Sequence, residues 1–152
     1  MVEGAAPQDR ARIGLEAMCR ALGLSRAVLC RHRPGAAGLK GWIGLGDGGA
    51  ELSQRMWLHP EKADDHLSKL VATGRDTWMA DVTQAPWVVR LPDWLPPPAS
   101  GGLLLMPLHQ GGVLVGAIYA DGSVGRPLAV EIPGRTLMQS LRRLLVMAAV
   151  AA

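Results

Sequence analysis

The chain has 152 residues with 16 basic and 13 acidic side chains, so it fits one domain with a real core, and a net charge of +3 is no nucleic-acid footprint. Its two cysteines, Cys19 and Cys30, form no C-x-x-C pair, which fits a reducing cytoplasm better than a disulfide scaffold. No apolar run reaches the about 18 residues of a membrane span, and "MVEGAAPQDRAR" lacks the apolar stretch of a signal peptide, so a soluble cytoplasmic protein is expected.

In chain order, the first predicted element is a helix over Pro7 to Leu22, where Ala11, Leu15, Met18 and Leu22 recur at helical spacing and Gly23 can close the last turn. Arg12, Glu16 and Arg20 make a solvated face of it. Arg10, Arg12, Arg20, Arg26, Arg31 and Arg33 crowd the first quarter of the chain, where a phosphate-facing patch is the alternative reading. "RAVLCRHR" predicts a strand ended by "PGAAG". "LKGWIGLG" predicts its hairpin partner, with Leu39, Gly41, Ile43 and Leu45 on one face. "DGGAEL" is expected to loop out, and "SQRMWL" to form a further short strand ending at His59. Pro60 then opens a second helix, with Glu61, Asp64 and Asp65 near its start and Ala63, Leu67, Leu70 and Val71 facing inward, and Gly74 closes it.

"RDTWMAD" predicts a brief strand ending at Asp81. The stretch Val82 to Gly102, with Trp87, Trp94 and three consecutive prolines, is too interrupted for a long regular element, and loops of such length often cover a site. "LLLMPLHQGGVLVGAIYAD", Leu103 to Asp121, reads as two apolar strands joined at His109-Gln110-Gly111-Gly112, with Pro107 at a bulge or on a non-bonded side. From Pro133 onward Leu137, Met138, Leu141, Leu144, Leu145 and Ala148 form one helical stripe. Beyond Leu144 the helix is apolar all round, which asks for a second partner surface from a dimer mate or an attached domain.

This order of elements resembles the GAF fold, a PAS-like sensory domain, on three stretches: "TGRDTWMADV", "LLLMPLHQGGVLVGAIYAD" and "LMQSLRRLLVMAA". A narrower likeness is to the GAF-like domain C-terminal to HDOD domains in bacterial signal-transduction proteins, where patterns like "LKGWIGLG", "LPDWL" and "PLHQGGVLVGAIYAD" recur. The resemblance implies an α/β (α+β) class with a central antiparallel sheet flanked by helices and the N- and C-terminal helices packed together. It also implies that residues 1–152 are one sensory domain, a fragment of a larger signalling protein or a stand-alone relative.

The family keeps small ligands between one sheet face and the loops over it, so the resemblance nominates Trp57, Trp78, Asp81, Trp87, Trp94, Met106 and Tyr119 as ligand-binding residues. The alternative is that the tryptophans, in a chain without phenylalanine, are core filler and loop anchors. Asp81 and Asp121 can each cap a turn instead. His59 and His66 stand too far apart for one ion, so no metal is expected. "GWIGLGDGG" lacks the Lys-Ser/Thr of a phosphate loop, and the serines lack nucleophile-elbow glycines. Free methionine sulfoxide reductases resemble GAF domains and use pocket cysteines, whereas Cys19 and Cys30 fall on the first helix and first strand. The expectation is therefore no catalytic residue, no enzyme and no assigned cofactor. A cyclic nucleotide or other small metabolite would be the ligand, and an HDOD or other output domain and a homodimer through the terminal helices the partners. A ligand-free dimerisation or docking module is the alternative.

Overall fold

In the computed structural model the described residues are 6–22, 24–32, 37–46, 48–62, 66–79, 103–122 and 135–151. Helix α1 (Pro7–Leu22) has the predicted bounds. Proline is suited to its first position because the N–H it lacks would have no helical partner, and the Ala6 carbonyl accepts from Asp9 and Arg10 instead. The inward stripe of Ala11, Leu15 and Met18 is fully buried.

The described residues contain six strands: β1 (Leu24–Arg31), β2 (Leu39–Gly46), β3 (Trp57–Leu58), β4 (Thr77–Met79), β5 (Leu103–Gln110) and β6 (Val113–Gly122). They form one antiparallel sheet in the order β3-β2-β1-β6-β5-β4. The predicted hairpin is there, but its turn is tighter than expected. Only Gly111 and Gly112 turn, with φ of 58° and 81°, the two positive values that a two-residue hairpin loop needs; His109 and Gln110 remain in β5. Pro107 pairs opposite Ala117, beyond the last residue of β5 that β4 reaches, where a residue without an N–H is tolerated.

The sheet separates two cores. On one face α1 and α4 (Arg135–Ala151) pack against each other and onto Ala27, Leu29, Ile43, Leu104, Met106, Leu108, Ile118 and Ala120. The helices come close at Gly14, where a Cβ would stand 3.1 Å from the Leu144 side chain. On the other face Val28, Cys30, Leu39, Leu103, Leu105, Ala117 and Tyr119 meet Leu52 and Met56, at and just past α2 (Gly49–Arg55), and Val71 of α3 (His66–Ala72). The expected class, with terminal helices packed together over an antiparallel sheet, is the observed one.

Two expectations around β2 fail. "GAELSQR" is helix α2 rather than loop and strand, and it lies directly on the β2 backbone because Gly41 and Gly44 present no side chains to it. Lys40 Nζ donates to the Gln54 carbonyl at the end of α2. The residues Leu39, Gly41, Ile43 and Leu45 do not share one face either. Leu29 pairs with Ile43 but Cys30 with Gly41, so Trp42 is an inserted residue. It leaves Leu39 in the α2 core and turns Ile43 and Leu45 to the α1/α4 core. Helix α3 starts at His66 and not at the expected Pro60, because Pro60 to Lys62 form a turn in which the Lys62 N–H donates to the His59 carbonyl; the helix buries Ser68 and Val71 and is followed, as expected, by Gly74 at φ 73°, while Ala63, Asp64 and Asp65 lie outside the described residues.

Candidate functional site

On the α2/α3 face the apolar surface of the sheet is interrupted by three polar side chains. Tyr119 and Asp121 alternate on β6 and so project to the same side, while Arg26 stands opposite Asp121 on β1. An irregularity at Ser25 shifts the β1 register there. Gly46, with φ 84°, lets β2 pass close to it, since a Cβ would sit 1.9 Å from the Ser25 carbonyl oxygen. Arg26 Nε donates to Asp121 Oδ2 at 3.0 Å, a second guanidinium N–H donates to the same oxygen, and the Tyr119 hydroxyl donates to it at 3.0 Å. Tyr119 is fully buried and Asp121 is 5% exposed.

A charge pair in this position is expensive to desolvate unless it is well bonded. Burial would lower the Arg26 guanidinium, but the hydrogen bond and charge of Asp121 outweigh it and hold Arg26 above its ordinary value. Burial, reinforced by the Asp121 charge, pushes the Tyr119 hydroxyl well above the usual tyrosine range, so it stays a neutral donor.

The residues nominated from the sequence are distributed as follows. Tyr119 is in this cluster. Met106 is also buried, but on the opposite face, under α1 and α4. Trp57 lies on the short outer strand, 42% exposed; its Nε1 donates to the Ala37 carbonyl at 3.0 Å, and its ring stacks on His59 at 5.2 Å. Trp78 pairs in register with Leu104, and Asp81, Trp87 and Trp94 lie outside the described residues. Tyr119, Met106 and Trp57 therefore do not converge. Two members of the polar cluster escape a sequence reading: Arg26 looks like one more surface arginine, and Asp121 like a turn residue. The available signal is the strand alternation that puts Arg26 in step with Val28 and Cys30, on a buried face.

Other chemistry has little support among the described residues. No group of three or more His, Cys, Asp or Glu side chains could hold a metal ion. His59 is engaged locally: its backbone N–H donates to Ser68 Oγ at 2.9 Å, and its Nδ1 lies 3.5 Å from Glu61 Oε1. Burial pushes the Cys30 thiol up to about 12; burial, with Glu16 and Asp121 adding, pushes Cys19 up to about 11. Both are thiols at neutral pH, and it is the thiolate that attacks.

The fold is that of GAF domains. The GAF domain of a phosphoenolpyruvate-protein phosphotransferase from Acinetobacter superposes with a TM-score of 0.72 at 10% identity, covering 99% of this chain and 87% of that one. The GAF domain/HD domain protein of Geobacter sulfurreducens gives 0.68 at 12% identity, with 97% and 93% covered. The free methionine-R-sulfoxide reductase of Neisseria meningitidis gives 0.68 at 14% identity, with 99% and 82% covered. At these identities the likeness is one of fold, and the GAF fold carries both regulatory domains and an enzyme. No protein-family model matches the chain, and no curated protein matches it. No described helix is long and apolar enough to cross a membrane.

Proposed function

We propose that this chain is a regulatory GAF-type domain of bacterial signal transduction, cytoplasmic, that binds a small polar molecule on the α2/α3 face and relays the event to an output domain of the HDOD or a related kind. One observation carries the reading: the Arg26–Asp121–Tyr119 cluster is buried in a face that could have been closed with aliphatic side chains. A buried ion pair is poor at stabilising a fold compared with apolar packing of the same volume, whereas a fixed donor and carboxylate next to an apolar wall are what orients a small ligand. A cyclic nucleotide or another small metabolite fits this role. Tyr119 is its nearest described candidate contact, and Trp78, Asp81, Trp87 and Trp94 remain proposed on their sequence pattern. The ion pair between Asp76, just ahead of β4, and Arg142 of α4 gives a route from the ligand side to the terminal helices.

The test is a panel of metabolites including cyclic nucleotides, read by tryptophan fluorescence and thermal denaturation. A saturable response is expected, weakened roughly tenfold or more in Tyr119→Phe, which keeps the ring but removes the hydroxyl that fixes the Asp121 carboxylate. The ligand should be recovered chemically unaltered. Silence across the panel from folded protein would remove the ligand from the proposal, and turnover of the ligand would replace a sensor with an enzyme.

A second reading, dimerisation without a ligand, is favoured by the exposed apolar side chains of the terminal helices: Ile13 on α1, and Met147 and Val150 on α4. Sedimentation at increasing concentration should show a dimer that Met147→Asp dissociates. A strict monomer throughout rules this reading out.

A further inference from the structure

The Arg26–Asp121–Tyr119 cluster is asymmetric at its centre. Arg26 Nε, a second guanidinium N–H and the Tyr119 hydroxyl all donate to the same carboxylate oxygen, Asp121 Oδ2. The other oxygen, Oδ1, accepts from no described residue, although the Asp121 side chain is only 7% exposed. Oδ1 is nevertheless not sealed from solvent. A carboxylate oxygen can accept about two hydrogen bonds, and its desolvation on burial is offset only where donors meet it. A nearly buried acceptor that no donor meets therefore calls for a reason. The donors beside it cannot be shared out. Tyr119 has one hydroxyl proton and gives it to Oδ2, and the guanidinium commits two of its N–H groups to that same oxygen. Arg26 and Tyr119 thus hold the carboxylate in place, and what the carboxylate offers in turn is an open acceptor.

We propose that the ligand enters this cluster with a hydrogen-bond donor, an O–H or N–H group given to Asp121 Oδ1, and keeps any anionic group away from it; this rests on the reading that the α2/α3 face takes a small ligand. The polarity follows from what is left without a partner. Arg26 and Asp121 already cancel each other's charge, so a phosphate or carboxylate gains no net attraction there and sets its own lone pairs against those of Oδ1. A hydroxyl, an amide N–H or an ammonium instead meets the carboxylate in a charge-assisted hydrogen bond, about twice as strong as a neutral one. The ammonium gains most, because it brings both the donor and the opposite charge. A cyclic nucleotide fits with a ribose hydroxyl or a base N–H inward and its phosphate toward the rim.

The experiment titrates the whole chain with three probes on one carbon frame, propylammonium, 1-propanol and propionate, at an ionic strength held constant with sodium chloride. The readout is the carbon resonance of the Asp121 side-chain carboxyl, assigned by its displacement in Asp121→Asn. A saturable shift is expected with propylammonium and a smaller one with 1-propanol, and propionate should bind roughly tenfold or more weakly than propylammonium. In Asp121→Asn the amide oxygen keeps the three donors and the amide nitrogen puts a donor where Oδ1 was, so the order should reverse in favour of propionate, read on the Tyr119 ring resonances. The proposal is overturned if propionate binds the unaltered chain as tightly as propylammonium, or if none of the three moves the carboxyl resonance up to about 100 mM; neither result depends on the variant folding. An unchanged order in Asp121→Asn with normal circular dichroism also overturns it. The two readings fail separately. A metabolite that binds in a Tyr119-dependent way while the carboxyl resonance stays still removes the donor assignment and leaves the sensor. Silence across the metabolite panel, with propylammonium still moving the resonance, removes the sensor and leaves the donor preference standing.

Discussion

Asp121→Ala is expected to lower folding stability by about 3–5 kcal/mol, the range for removing one partner of a buried ion pair. The Arg26 and Asp121 side chains are 12% and 7% exposed, so water screens them little. The substitution strands a guanidinium that cannot be neutralised by losing its proton, and it leaves the Tyr119 hydroxyl without its acceptor. Urea unfolding of the variant should therefore show a much lower midpoint with an unchanged slope. A paired replacement, Arg26→Met with Asp121→Leu, should recover most of the loss, because the penalty lies in the orphaned charge and not in missing volume. If Asp121→Ala unfolds at the midpoint of the unaltered chain, the cluster is not the dry, mutually dependent group described above, and the ligand-face proposal loses its support.

Gly44→Ala should be nearly as damaging, although a glycine inside a strand ordinarily makes alanine an improvement of about 0.5–1 kcal/mol. Here an added Cβ would lie 1.9 Å from the Gly49 carbonyl oxygen and 2.3 Å from its carbon. Both neighbours are backbone, so no rotamer change relieves the clash and α2 has to lift. The expected loss is at or above the about 1–3 kcal/mol of ordinary overpacking, because Leu52 and Met56 lose their seats on β2 with it. Gly111→Asn is the contrasting variant. Its φ of 58° suits asparagine and its Cβ would meet nothing within 4 Å, so stability should change little. A Gly44→Ala protein as stable as its parent would show that α2 does not rest on β2.

These cases mark where sequence pattern informs and where it stops. The bounds of α1 and the strand pair around Gly111–Gly112 follow from local periodicity and turn chemistry, which any window of the chain displays. Helix α2 does not, because seven residues carry too short a period to register and its place is decided by two glycines on a neighbouring strand. The site is hidden for a related reason. A hairpin running without interruption from Gly111–Gly112 would pair Tyr119 with Leu104 and set it on the same face as Met106, as the grouping of those two residues in one pocket requires. An irregularity between Leu108 and His109 leaves Val115 as an extra residue, pairs Tyr119 with Leu105, and sends its ring to the other core. Arg26 and Asp121 become a pair only through this long-range register, which no local pattern encodes.

The inserted residues Trp42 and Val115 also set limits on how this chain can diverge. Deleting either one would turn part of its strand over, moving side chains of the α1/α4 core into the α2/α3 core and the reverse in a single event. Length variation should therefore accumulate in the connecting segments and be purged from β2 and β6, and an alignment that places a one-residue gap in either strand assigns its residues to the wrong one of the two cores.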